Sequence, residues 1–249
     1  MIVWNYEPQG SEAWLAARRG AITGSRARDA LDVTSKGLPG AKRTAYAMDV
    51  ARERVGGMVP ATYQNAAMKM GTEQEPIARV QYEAETGSII AEVGFAHTED
   101  KKFGASVDGL IGSDGIWECK TAVSSATLFR AIVDGDISDY RDQCLFAMWL
   151  LGRRWVDLSI WCADLQLLHT VRIKRNDDEI NAFEAKLMDF DALVRQYEAG
   201  LRAFLPAAEL STPPWTDTYL PASSAATLTP SNVPAPKTTA PADVLAPSF

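Results

Sequence analysis

The chain has 249 residues, 47% of them hydrophobic and 23% charged, with three cysteines; it can bury a core without disulfides or a structural metal, and no C-x-x-C spacing encodes a zinc or iron-sulfur site. No run of about 18 apolar residues occurs, and Met1 to Gly10 lacks a basic stretch followed by an apolar one, so the expectation is a protein neither secreted nor membrane-spanning, in a reducing cytoplasm. The net charge of −7 speaks against a nucleic-acid partner until its distribution is considered: residues 1–60 carry nine Lys and Arg against six Asp and Glu, residues 176–249 four against ten, so the N-terminal part can face an anion.

In chain order, the first clear helix runs from Ala41 to Val55 and stops at Gly56 and Gly57, and a second runs from Thr72 to Thr86 and stops at Gly87. The period then changes to two, which predicts strands at Gly104 to Ile111 and Ile116 to Thr121. Ser124 or Ser125 caps a helix reaching about Asp134, and Asp139 to Leu151 makes another that Gly152 ends. Two further alternating runs, Trp155 to Ala163 and Leu167 to Lys174, predict a second hairpin. From Asn176 to Phe204, apolar residues at Ile180, Phe183, Leu187, Phe190, Val194, Tyr197, Leu201 and Phe204 mark one face of a long helix, with Asn176 and Glu179 as its capping box.

This order of helices, hairpin, helices and hairpin predicts an α/β or α+β domain over residues 1–205, with a central mixed sheet flanked by helices. Residues 206–249 hold nine of the thirteen prolines among Ala, Thr and Ser. Such a composition builds no core and predicts a largely disordered tail, whose first part Trp215 and Tyr219 can dock onto the domain.

The chemistry concentrates in FGASVDGLIGSDGIWECKTA, Phe103 to Ala122. Ser113, Asp114 and Gly115 make a tight turn between two short strands. Side chains alternate along the second strand, so Glu118 and Lys120 share one face while Trp117 and Cys119 take the other, toward the core. Asp108 can sit beside Glu118 across the hairpin. Two carboxylates suit Mg²⁺, a hard cation that prefers oxygen ligands and keeps several waters, one of which can be delivered to a phosphodiester while Lys120 orients or deprotonates it. A structural ion pair would account for Glu118 and Lys120 alone, since the same spacing recurs at Glu184 and Lys186. That second copy lies on the long helix, where residues two apart point in different directions. Only the first copy has an upstream Asp, a tight turn and an apolar strand around it.

Asp108 followed by Glu118, Cys119 and Lys120 resembles the PD-(D/E)xK pattern of restriction-endonuclease-like nucleases. Three further segments, QGSEAWLAARRGAITGSRA at Gln9 to Ala27, MGTEQEPIARVQYEAETG at Met70 to Gly87 and QCLFAMWLLG at Gln143 to Gly152, resemble the phage-type alkaline exonucleases, the group of lambda exonuclease and the YqaJ-like viral recombinases. The resemblance spans roughly Gln9 to Phe204, with its motifs in the family's order.

It implies a restriction-endonuclease-like core and a Mg²⁺-dependent exonuclease that degrades one strand of linear duplex DNA from the 5′ end. Two ions are implied, with Mn²⁺ able to substitute. Their ligands would be Asp108, Glu118 and the backbone carbonyl of Cys119, with Lys120 as the catalytic lysine and Glu75 as an acidic residue near the metals. Arg18, Ser25 and Gln143 match residues around the 5′-phosphate, and an arginine beside a helix start at Ser25 is physically suited to phosphate. The resemblance further implies a three-subunit ring, a single-strand annealing partner, and a phage or prophage protein in a bacterial host. Glu75 has a local reading as well, because Thr72 to Glu75 before Pro76 forms a capping box. Thr121 and Ala122 depart from the Cys-Pro common after the lysine.

The competing readings are another nuclease of the same fold, such as a structure-specific endonuclease, and a non-catalytic DNA-binding protein. The presence of Asp108, Glu118 and Lys120 together disfavours the latter. Histidine chemistry has little to work with, since His97 and His169 are the only two and neither lies in a cluster. No G-x-S-x-G or phosphate-loop motif occurs.

Overall fold

In chain order the elements are β1 (Ile2–Asn5), α1 (Glu12–Arg18), β2 (Ile22–Thr23), a 3₁₀ turn (Gly24–Arg26), α2 (Ala27–Ala30), α3 (Ala41–Arg54), α4 (Ala66–Thr86), β3 (Ile90–Ala91), β4 (Phe95–Thr98), β5 (Phe103–Ser106), β6 (Gly109–Ile111), β7 (Gly115–Thr121), α5 (Ser125–Ile132), α6 (Ser138–Leu151), β8 (Trp155–Cys162), β9 (Leu167–Lys174) and α7 (Asp177–Arg202). They come from a computed structural model that describes residues 1–58 and 66–206. The predicted tail, with Trp215 and Tyr219, therefore lies outside the described residues save for Pro206. Among the described residues no helix is long and apolar enough to cross a membrane.

Two mixed sheets form, in the orders β1-β4-β5-β2 and β3-β6-β7-β8-β9. In the first, β2 and β5 are parallel and the other pairs antiparallel; in the second, only β7 and β8 are parallel. Parallel neighbours need a crossover, which α5 and α6 supply between β7 and β8. The strand expected from Gly104 to Ile111 is divided: Val107 and Asp108 carry the chain from β5 in one sheet to β6 in the other. Gly104 is required on this path, because a Cβ there would come within 2.1 Å of the Phe95 ring.

The helices behave largely as the periodicity predicts. On α7, Asn176 accepts from the amides of Asp178 and Glu179, and Ile180, Phe183, Leu187, Phe190 and Val194 are buried. Glu179 does not close a reciprocal box; its carboxylate takes a forked hydrogen bond from Arg141 of α6. The stripe stops short of its predicted end, since Leu201 is partly exposed and Phe204 is 89% exposed. Helix α3 lies against α7 through the stacked rings of Tyr46 and Phe190, 5.2 Å apart, and through Arg54, which holds Asp191 at 2.8 Å. Ser124 caps α5 by accepting from the Thr127 amide, and Gly152 closes α6 in the left-handed conformation.

The short elements β1, α1, β2, β3 and β4 had no counterpart in the sequence reading, being too brief for a periodic signal, and the helix expected from Ser25 is the four-residue α2. Helix α4 begins at Ala66, well before the expected Thr72. Glu75 therefore lies inside the helix, and the capping-box reading of Thr72 to Glu75 is overturned.

The second sheet packs a small core on the α4 side, where Trp117 is fully buried among Ala78, Tyr82, Ile90, Ile111 and Trp161. Its indole N–H donates to Ser159 Oγ at 3.0 Å, and that hydroxyl lies 2.9 Å from the Thr170 hydroxyl, so the buried polar atoms are satisfied. Truncating Trp117 to alanine would cost about 3–5 kcal/mol.

Candidate active site

The pairing of β6 with β7 sets Gly109 opposite Trp117, which places the preceding Asp108 across from Glu118. Asp108 Oδ2 accepts from the Cys119 amide at 2.8 Å. Because Asp108 sits at the step between sheets rather than within a ladder, its carboxylate can turn onto the backbone of β7. On β7, Glu118 is only 2% exposed. Its Oε1 receives Lys120 Nζ at 2.7 Å and the side-chain amide of Gln143 from α6. The sequence reading grouped Gln143 with Arg18 and Ser25, whereas its hydrogen bond is to the carboxylate cluster.

Each carboxylate thus has one engaged oxygen. Among the described residues no hydrogen-bond donor reaches Glu118 Oε2 or Asp108 Oδ1, and neither oxygen is an enclosed, unsatisfied atom. Two carboxylate oxygens turned to accessible space match the one or two protein carboxylates that suffice for Mg²⁺. No group of three His, Cys, Asp or Glu residues converges at metal-binding distance among the described residues, so water or substrate would complete the shell.

The electrostatics also suit a divalent cation. Burial, then the charge of Asp108, pushes the Glu118 carboxyl up to about 8, against the opposing pull of Lys120. Burial, then Asp108, pushes Glu75 up to about 7, with Arg79 and Lys120 opposing. Burial raises Asp108 too, although Lys120 and the Cys119 amide work the other way. Burial would lower Lys120, but Glu118 and Asp108 outweigh it and hold the ammonium above its ordinary range. Crowded carboxylates that retain protons are what a divalent ion would relieve. Glu75 belongs to this group through its interaction with Asp108 and Lys120, and Arg79, one helical turn on, stands 3.7 Å from it. Sequence reasoning missed Arg79; its spacing of four from Glu75 was the available signal.

A second cluster lies at the end of β5. The Arg18 guanidinium stacks 4.2 Å over the Trp14 ring and 5.5 Å from Phe95. It donates to Ser106 Oγ and Ser25 Oγ, each at 3.2 Å. It forms no salt bridge among the described residues, and burial lowers its pKa. A desolvated arginine held by rings and hydroxyls, without a carboxylate, is poised for an anion. Arg18 and Ser25 are thus brought together as expected, but not as a helix cap. Ser25 lies inside the 3₁₀ turn, which precedes a helix of four residues, and no side chain caps either. Trp14 and Ser106 went unnoticed, although one lies in the quoted N-terminal segment and the other two residues before Asp108.

Comparison with known proteins gives a consistent result. Residues 13–154 match the YqaJ-like viral recombinase domain. The chain is similar to the crystal structure of an alkaline exonuclease, LHK-Exo, from Laribacter hongkongensis, at 33% identity over 78% of this chain and 97% of that one, with a TM-score of 0.67. The same enzyme in complex with dAMP matches at 34% identity over the same shares, with a TM-score of 0.68. A phage-related exonuclease from Haemophilus somnus 129PT shares the fold at 14% identity over 74% of this chain and 95% of that one, with a TM-score of 0.55. The comparison with curated proteins gives no significant match.

Proposed function

Since the chain belongs to the YqaJ-like viral recombinase domain family, and is a deoxyribonuclease on that ground, we propose that it is a Mg²⁺-dependent exonuclease that degrades one strand of linear duplex DNA from the 5′ end. The products are 3′ single-stranded overhangs suited to recombination. The observation that carries the reading is the pairing of two half-engaged carboxylates, Asp108 and Glu118, with an ammonium clasped at 2.7 Å by one of them.

Asp108, Glu118 and the Cys119 carbonyl would hold the metal, with Mn²⁺ able to substitute and room in the proposal for two ions. Bound there, it supplies charge stabilisation at the phosphoryl oxygens and a water of lowered pKa. The chain's own groups do the positioning. Gln143 and Lys120 fix the Glu118 carboxylate through Oε1, so its rotamer is set before substrate arrives. The Lys120 ammonium, a donor only, would orient the attacking water and offset negative charge developing at the phosphate. Glu75 adds a third negative charge, and Arg79 limits its repulsion with Asp108. Arg18, backed by Trp14, Ser25 and Ser106, receives the 5′-phosphate. A ring of three subunits around the duplex, a single-strand annealing protein that takes up the overhang, and a site of action in the cytoplasm of a bacterial host belong to the same reading.

The test compares linear with covalently closed duplex, in Mg²⁺ and in EDTA, with strand-specific end labels. Mg²⁺-dependent loss of the 5′-ended strand from linear DNA only is expected. Cutting of closed circles would instead make it an endonuclease, and binding without cutting a non-catalytic DNA-binding protein.

A further inference from the structure

At the end of β5 remote from Ser106, a cavity of about 480 Å³ opens between the β4–β5 turn, the start of β2 and the last turns of α7. Its walls are Arg19, Gly20, Arg54, Asp100, Lys101, Lys102, Arg195, Glu198, Ala199 and Arg202, six cations against two carboxylates in an acidic protein. Resting on the nuclease reading, we propose that this pocket is an accessory phosphodiester-binding site for the DNA backbone, separate from the carboxylate cluster and from the Arg18 cradle.

The floor is rigid. Arg54 is 12% exposed in its side chain and fully engaged, donating to the Gly20 carbonyl at 2.9 Å and to Asp191 at 2.8 Å. The rim is exposed: the side chains of Arg195, Lys102 and Arg202 are 61%, 42% and 40% accessible. The acids nearby are already shared. Asp191 holds Arg54 and Arg195, Glu198 holds Arg202 and lies near Arg54, and Asp100 holds Lys102. Arg19 forms no salt bridge among the described residues, and Glu53, whose charge it favours, is inclined by burial toward its neutral form. Among the described residues, counting Asp191 and Glu53 behind the wall still leaves the cations in excess. Buried ion pairs alone would hold α3 to α7 without Arg19, Arg195 or the lysines gathering at the rim.

Position favours a DNA strand as the source of the phosphate. Arg18 and Arg19 are consecutive where α1 ends, yet Arg18 reaches Ser106 at one end of β5 while Arg19 reaches the pocket beside Lys102 at the other. The four residues of β5 span about 10 Å, within the reach of neighbouring phosphates on one strand. Two phosphate contacts at that spacing suit one continuous strand better than a free nucleotide.

The experiment measures binding of a short blunt 5′-phosphorylated duplex, in Mg²⁺ and across a salt series, by protein carrying Lys120→Ala to suppress cutting. Added to it, Arg19→Ala and Arg195→Ala together should lower the slope of log affinity against log salt by about 2 and weaken binding at least about tenfold. Lys36→Ala with Lys174→Ala, at exposed positions elsewhere, should leave the slope unchanged, and thermal melts confirm folding. An unaltered slope in the Arg19 and Arg195 variant overturns the proposal. So does loss of dAMP binding with duplex binding intact, which would make the pocket a free-nucleotide site. Failure of the nuclease reading is separately visible, as absence of cutting by the unaltered chain.

Discussion

Lys120 Nζ lies 2.7 Å from Glu118 Oε1, two residues back on the same face of β7. A period of two is the only backbone repeat that sets residues i and i+2 side by side, so the strand itself assembles the pair. Glu118 is nearly inaccessible, which makes the ammonium its principal charge compensation until a metal arrives.

Lys120→Ala should therefore abolish cutting while leaving DNA binding nearly intact. The ammonium acts on the water or on transition-state charge, and such roles contribute roughly 10²- to 10⁴-fold. Initial rates on linear duplex decide it, and a variant keeping more than about a third of the wild-type rate would contradict the assignment. Lys186→Ala, the helical copy of the motif, should change the rate little.

Arg18→Ala should remove a preference for 5′-phosphorylated over 5′-hydroxyl ends. A charge-assisted hydrogen bond is worth about 1.5–3 kcal/mol, so phosphorylated ends should lose on the order of tenfold or more and hydroxyl ends much less. The ratio of initial rates on the two ends is the measurement. A preference unchanged in the variant would place the phosphate elsewhere.

Metal-free protein should lose stability as pH rises from about 4.5 to about 8. The carboxyls of Glu118 and Glu75 are pushed up to about 8 and about 7 in the fold, so over that window the folded chain holds protons that the unfolded chain has released. Stability then falls with pH, since the folded state binds the extra protons. Thermal melts in EDTA should show the decline, Glu118→Gln should flatten it, and Mg²⁺ at pH 8 should reverse it by replacing the protons. Identical pH slopes for wild type and Glu118→Gln would rule the coupling out.

A chain ended after Leu220 should fold and cut DNA as the full chain does, because residues 221–249 are rich in Pro, Ala, Ser and Thr and offer little to a core. Calorimetry and the linear-duplex assay test this. Loss of the cooperative transition would show that the segment contributes to the fold. Surviving activity with weaker recombination in cells would point to a partner tether.

The site was legible where chemistry is local to a strand or a turn. Glu118 and Lys120 follow from alternation, and Asp108 opposite Glu118 follows from the turn at Ser113 to Gly115. The hydrogen bond from Gln143 to Glu118 was not legible, because it depends on how α6 lies across the sheet, which no periodicity reports. Helix α4 was begun too late because Thr72 and Glu75 imitate a cap, and Pro76 reinforces the imitation by suiting a first turn. The strands β1 to β4 are two to four residues long, shorter than any alternation can declare, yet three of them form the sheet that carries Ser106 and so the Arg18 cradle.

Only Val107 separates Ser106, which receives a hydrogen bond from Arg18, from Asp108 in the carboxylate cluster. Two residues of extended chain reach about 7 Å, comparable to the step from one backbone phosphate to the next. If Arg18 holds the strand's terminus, the backbone crossing between the sheets is a covalent ruler from the end of the DNA to the bond that breaks. The length of each excised piece would then be fixed by protein geometry rather than by base sequence. Digestion would proceed in short equal steps, with each cut creating a new terminal phosphate for the same cradle.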